Sequence, residues 1–156
     1  MKAKILIVYA SMTGNTEEMA HLIGDGVIQA GAVLVRKDII EVSAADLQSY
    51  DGILIGAYTW GDGDLPDEFL DFYEEMDPLH LSGKKTAVFG SCSSSYEHRG
   101  RAVDLLIEKL TEIGADIILK GLKIDLAPSS EEKKLCIQYG RSFVEKSFGL
   151  IGTVTP

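Results

Sequence analysis

Ser11, Thr13, Asn15 and Thr16 stand together in the stretch Ser11-Met12-Thr13-Gly14-Asn15-Thr16, around one glycine and with no Lys or Arg among them. Hydroxyls and an amide at that density can bind an oxyanion through neutral donors, and a glycine lets the backbone approach it closely. An apolar run, Lys4-Ile-Leu-Ile-Val-Tyr9, leads in, and Met19, Ala20, Ile23 and Val27 follow at helical spacing, so the stretch reads as a turn from strand to helix. The first amides of a helix lack intrahelical acceptors, and its dipole places about half a positive charge there. Together these donors could hold a phosphate of about −1.5 to −2 charge without a cation. The Gly-Lys-Ser/Thr ending of a nucleotide-triphosphate loop is absent, as is the three-glycine dinucleotide fingerprint. An ordinary turn capped by Asn15, with Glu18 three residues on, fits the same residues.

Two further stretches carry aromatic side chains in polar surroundings. Trp60, the only tryptophan, sits in Tyr58-Thr59-Trp60-Gly61-Asp62-Gly63-Asp64, and Tyr96 sits in Ser91-Cys92-Ser93 through His98. Two exposed rings beside a phosphate-type turn would make the walls of a slot for a flat ligand; packing of either ring onto the domain edge is the alternative. Acidic residues crowd the same region: Asp62, Asp64, Asp67, Glu68, Asp71, Glu74, Glu75 and Asp77, with no Lys or Arg between Tyr50 and Leu79. A carboxylate ~10 Å from a ring that gains negative charge opposes that charge by about 0.4–1.7 kcal/mol. For a one-electron couple this is about 20–70 mV, so several such acids would make the ligand a strong reductant. The same charges would steer a basic partner.

The elements that must position these stretches follow from periodicity. Strands are expected over Lys4–Tyr9, Ala32–Asp38, Gly52–Ala57, Lys85–Gly90 and Ile117–Leu126, the third apolar on both faces as a central parallel strand should be. Helices are expected after Thr16, from Pro66 in its first turn (inner face Phe69, Leu70, Tyr73, Met76), around Val103–Ile113, and over Ser130–Phe148 with Leu135, Tyr139 and Phe143 inward. Gly31 marks a stop and Ser43–Leu47 a short helical turn. Strands alternating with helices give an α/β fold, a doubly wound five-stranded parallel sheet between helices. In such sheets ligands sit outside the carboxyl ends of the strands, where strand order reverses. The loops 10–16, 58–65 and 91–98 leave three of those ends and are expected to converge. Residues 1–148 make one domain, and 149–156 read as a tail without helical pattern.

Composition narrows the function classes. The 156 residues suit one domain with a real core, and the net charge of −9 argues against nucleic acid or anionic membranes as partners. Cys92 and Cys136 are the only cysteines, which suits a reduced cytoplasmic protein better than a disulfide. The N-terminal Met-Lys-Ala-Lys before an apolar run imitates a signal peptide, but the run is short and enters the polar turn directly. His21, His80 and His98 are scattered over a helix, a linker and a loop, a poor metal set. A phospho-receiver domain would need acids where Tyr9-Ala-Ser11 and Ala57-Tyr-Thr59 stand. A small tyrosine phosphatase would need one residue fewer between Cys92 and Arg99.

Ser11-Met-Thr-Gly-Asn-Thr16, Thr59-Trp-Gly-Asp62, Gly90-Ser91 through Tyr96, and Ala102-Val-Asp104 resemble the flavodoxin family, in that order and over nearly the whole chain. The length and the last strand without an insertion are similar to its short-chain bacterial form, for which the strand order 2-1-3-4-5 is expected. The resemblance implies bound flavin mononucleotide (FMN) and a low-potential one-electron carrier rather than an enzyme. It implies a monomer that shuttles electrons from an NADPH-dependent flavodoxin/ferredoxin reductase to acceptor redox enzymes docking on the acidic flavin edge. By the same resemblance Ser11, Met12, Thr13, Gly14, Asn15 and Thr16 hold the phosphate with help from Thr59. Trp60 and Tyr96 flank the ring, and Gly61, Asp62, Gly63, Ser91, Cys92 and Ser93 complete the cofactor contacts. In that family the peptide after the Trp-Gly pair reorients on one-electron reduction, and Gly61-Asp62 matches its place; glycine makes such a flip cheap. One departure is Cys92-Ser93, where the family often has Gly-Asp. Loss of that acid implies a less negative second reduction step. An NAD(P)H:quinone reductase of the same fold is the enzymatic alternative, although such chains are generally longer and the acidic rim here would repel a pyrophosphate. A non-redox interaction module is the reading left if flavin does not bind.

Overall fold

The computed structural model describes residues 2–59, 63–93 and 100–149. Its central strands are β1 (Lys4–Ala10), β2 (Val33–Asp38), β3 (Gly52–Ala57) and β4 (Lys85–Cys92). They are followed by β5 (Asp116–Ile117) and β6 (Leu122–Asp125). The helices are α1 (Asn15–Gln29), α2 (Asp67–Glu75), α3 (Arg101–Glu112) and α4 (Ser130–Phe148), with short 3₁₀ turns at Ile39–Glu41 and Ala44–Ser49. Strand order is β2-β1-β3-β4, with β5 and β6 sharing the place beyond β4, and every pairing is parallel.

Parallel strands joined by crossover helices bury both faces of the sheet, and β1 shows how its residues divide. Leu6, Val8 and Ala10 face a core shared with Phe69 and Phe72 of α2, Met76 directly after it, and Val103, Leu106 and Leu110 of α3. Ile5, Ile7 and Tyr9 face the opposite core, shared with Met19, Ile23 and Val27 of α1 and Cys136, Phe143 and Val144 of α4. The doubly wound expectation therefore holds, with α2 and α3 on one face and α1 and α4 on the other.

Four expectations need correction. Leu70 is 44 % exposed and Phe72 is buried in its stead, because the inward row of α2 runs through Phe69, Phe72 and Met76. Leu135 is likewise exposed, and Cys136 and Gly140 take the inward positions of α4. Pro66 sits one residue before its helix, where its carbonyl accepts the Phe69 N–H. The fifth strand is not continuous. Thr86 pairs with Ile117 and Phe89 with Leu122, so Ala87 and Val88 of β4 stand against the longer segment 118–121. The Tyr139 hydroxyl donates into this gap, 2.6 Å from Lys120 O and 3.2 Å from Val88 O.

Helix α1 ends as Gly31 implied: that residue has φ +93°, and Ala32 N–H reaches back to Val27 O. α1 and α4 pack backbone to backbone, since a Cβ on Gly26 would lie 1.9 Å from Ile137 O and one on Gly140 would lie 2.0 Å from Ile23 O. On the other face the nearly buried Lys109 side chain of α3 pairs with Asp77 and lies 4.4 Å from the centre of the Tyr73 ring. The hydrogen bond to Asp77 raises the Lys109 pKa.

Both cysteines are buried thiols. Burial, reinforced by Glu132 and Glu18, pushes the Cys136 thiol from 9.0 up to about 12. The folded chain thus keeps a proton that the unfolded chain loses, and stability should fall as pH rises from about 9 towards 12. A single proton sets a ceiling of about 1.4 kcal/mol per pH unit on that slope. Denaturant melts across this range should show a shallower alkaline decline in Cys136→Ala; an identical slope would contradict the assignment.

Candidate functional site

All strands being parallel, the loops after β1, β3 and β4 leave the same edge, and hydrogen bonds tie their described parts together. The first loop turns at Gly14, which caps α1 with φ +93° and no side-chain cap. Ser11 does the capping that the sequence assigned to Asn15: its Oγ accepts the Gly14 and Glu17 N–H groups, each at 3.2 Å. The left-handed Gly14 brings the chain round so that Ser11 lies against the first turn. Met12 and Thr13 project into solvent, Met12 at 60 % exposure, and Asn15 is half-buried. Two acids follow at once, but Glu17 accepts the Tyr9 hydroxyl at 3.1 Å and Glu18 pairs with Lys133 at 3.5 Å. Burial and Glu17 hold the Tyr9 phenol above its usual range.

Thr16 is fully buried, and its Oγ1 lies 2.7 Å from Ser91 Oγ. Ser91 N–H donates to the same Thr16 oxygen at 3.3 Å, and Ser91 O accepts Thr59 N–H at 3.3 Å. Thr59 Oγ1 accepts Ala102 N–H at 3.2 Å. Gly100, the residue that caps α3, has no side chain for that purpose, so a hydroxyl from the second loop serves instead. Nearby, Tyr58 donates to Glu68 at 2.9 Å; burial first and this carboxylate second push its phenol up to about 12.

Ser91 and Cys92 were expected in a loop, yet they extend β4, because they pair with Ile124 and Asp125 of β6. Cys92 Sγ donates to Ile124 O at 3.6 Å, and Cys92 O accepts the N–H of Leu126, a non-glycine residue with φ +59°. Ser93 follows the strand half-buried, and Gly63 is buried with φ +113°. Trp60, Gly61, Asp62 and Tyr96 lie outside the described residues, as does His98. The structure thus brings together the first loop, Thr59 and Ser91–Ser93. The bonds that join them span up to 75 residues of sequence, and no local signal announces them.

The donor set of the first loop fits a phosphate monoester. Gly14 has open space where a Cβ would stand, the remaining first-turn amides have no intrahelical acceptor, and the neighbouring hydroxyls are neutral. Among the described residues no group of His, Cys, Asp and Glu could hold a metal ion. No described helix is long and apolar enough to cross a membrane. A groove of about 560 Å³ between α2 and α3 is lined by Leu65, Leu70, Tyr73 and Leu105 together with Asp64, Asp67 and Glu74.

Comparison with known proteins bears on this edge directly. The family model for flavodoxin matches residues 7–140, a span that includes the first loop, Thr59 and Ser91–Ser93. The chain is 49 % identical to probable flavodoxin 2 of Bacillus subtilis over 93 % of its length and 97 % of that protein's. It is 37 % identical to a flavodoxin of Maridesulfovibrio salexigens, covering 92 % of this chain and 99 % of that one. The crystal structure of oxidised flavodoxin 1 from Bacillus cereus superposes with a TM-score of 0.89 at 52 % identity, covering 92 % of this chain and 98 % of the other. A family match over most of the length, joined to a cation-free anion turn at the carboxyl edge of a 2-1-3-4-5 sheet, leaves one conclusion: the chain belongs to the flavodoxin family, whose members are electron carriers that bind FMN.

Proposed function

We propose that this chain is a low-potential one-electron carrier, taking electrons from an NADPH-dependent reductase and passing them to acceptor redox enzymes. The observation that carries the reading is the cation-free turn of Ser11–Thr16 at the carboxyl edge of β1, joined through Ser91 and Thr59 to the other two loops. FMN supplies the redox chemistry when bound. The residues Ser11, Met12, Thr13, Gly14, Asn15 and Thr16 hold its phosphate end with Thr59. Trp60 and Tyr96 flank the ring, and Gly61, Asp62, Gly63, Ser91, Cys92 and Ser93 complete the cofactor contacts. The neutral donors leave the phosphate charge largely uncompensated, and the acids from Asp62 to Asp77 add to the negative field, which favours electron release. The groove between α2 and α3 suits a partner that offers an aliphatic side chain flanked by Lys or Arg, since its lining combines apolar and acidic side chains. Buried thiols and an acidic chain accord with a monomer in the cytoplasm.

A visible spectrum of the purified full chain, followed by stepwise anaerobic reduction, tests the proposal. About one FMN per chain and two resolved one-electron steps are expected. Reduction in a single two-electron step, with rapid turnover of NADPH, would instead make the chain a reductase. A colourless protein that takes up no added FMN would sink both.

A further inference from the structure

Ser91 belongs by position to the third loop, the one assigned to the ring. Its polar groups point elsewhere. The side chain is buried, with the residue 6 % exposed, and its hydroxyl lies 2.7 Å from Thr16 Oγ1. Its amide donates to that same oxygen, and its carbonyl accepts Thr59 N–H. Donor and acceptors of this residue are therefore engaged by the first and second loops.

We infer that Ser91 is a positioning residue for the phosphate end of the cofactor, acting through Thr16 in the first turn of α1. The inference rests on the proposed function. Thr16 is β-branched, so one rotamer of its side chain dominates in a helix only when nothing competes for the hydroxyl. That hydroxyl has one hydrogen and two lone pairs. The Ser91 amide takes one lone pair and the Ser91 hydroxyl takes a second valence, so two contacts from one residue set both the place and the orientation of Thr16. Thr16 follows Gly14 and Asn15 directly, and Ser11 Oγ accepts the N–H groups of Gly14 and Glu17, which enclose Asn15-Thr16. A shift of Thr16 therefore moves the whole anion turn. The ring-side strand holds the turn that receives the phosphate.

The test compares FMN with riboflavin, which has the same ring and no phosphate, by fluorescence titration of the full chain freed of flavin. Ser91→Ala should weaken FMN about 3- to 10-fold and riboflavin by less than about twofold, the range expected for one lost hydrogen bond. Thr16→Val should lower the FMN-to-riboflavin ratio in the same sense, Thr16→Ser should retain it, and Ser91→Ala should add nothing further in the Thr16→Val chain. Equal weakening of both flavins, or additive effects of the two substitutions, would overturn the inference and make Ser91 a contact of the ring. If Ser91→Ala does not fold, Ser91→Gly, which also lacks the hydroxyl, decides by the same ratio. A parent chain that binds neither flavin removes the proposed function itself. A parent chain that binds FMN, with an unchanged ratio in the variants, removes only this inference.

Discussion

Thr13→Asp should weaken FMN binding about 5- to 1,000-fold while leaving riboflavin within about twofold. Thr13 is exposed on the anion turn, so the new carboxylate meets no packing constraint. Two unit charges ~4 Å apart repel by about 1–4 kcal/mol for effective dielectric constants between water and a protein surface, and each 1.4 kcal/mol is tenfold in affinity. The phosphate carries more than a unit charge, and no Lys or Arg in the turn stands by to offset the newcomer. The fold itself should not suffer, because an acid near a helix N-terminus is favourable by a few tenths of a kcal/mol. Parallel FMN and riboflavin titrations read the difference. A loss shared equally by the two flavins would mean that the phosphate lies elsewhere.

Gly26→Ala and Gly140→Ala should each destabilise the chain by about 2 kcal/mol or more. Alanine is a better helix former than glycine by about 0.8–1.0 kcal/mol, so a solvent-facing site would gain. Here the added methyl would lie 1.9 Å from Ile137 O at position 26 and 2.0 Å from Ile23 O at position 140. Both obstacles are backbone atoms and cannot rotate aside, so the two helices must separate and lose their contact. The collision outweighs the propensity. At about 2–4 °C per kcal/mol for a domain of this size, Tm should fall by about 4–8 °C or more. An unchanged Tm would show that α1 and α4 do not approach this closely.

The central strands and the long helices are legible in the sequence because their signals are local. Gly52–Ala57 and Ser130–Phe148 coincide with the expected bounds, since an unbroken apolar run and a long 3.6-residue period each specify one element. The inward faces were less legible. Leu70 and Leu135 are as apolar as their neighbours, but depth depends on which row meets the sheet, and Phe72 and Cys136 hold that row. The break between β5 and β6 was hidden because Ile117–Leu119 and Leu122–Ile124 are both strand-like and only Lys120-Gly121 separates them, Gly121 at the close approach to Val103. In the site, the turn at Ser11–Thr16 could be read from residue types alone. The exchange of the capping task from Asn15 to Ser11, and the bonds among Thr16, Ser91, Thr59 and Ala102, could not. They depend on loops brought side by side by the parallel sheet.

The backbone contact between α1 and α4 also sets an order of events during synthesis. The anion turn opens α1 near the start of the chain, but the face of α1 around Ile23, Gly26 and Val27 is covered by residues 136–144, among the last described elements to be made. At about 5–20 residues per second, a ribosome therefore exposes the first loop for several seconds before its supporting helix exists. A nascent chain that ends before Ser129 has the turn at Ser11–Thr16 and lacks its brace. The first loop therefore gains its full support only once α4 has been made and has docked on α1.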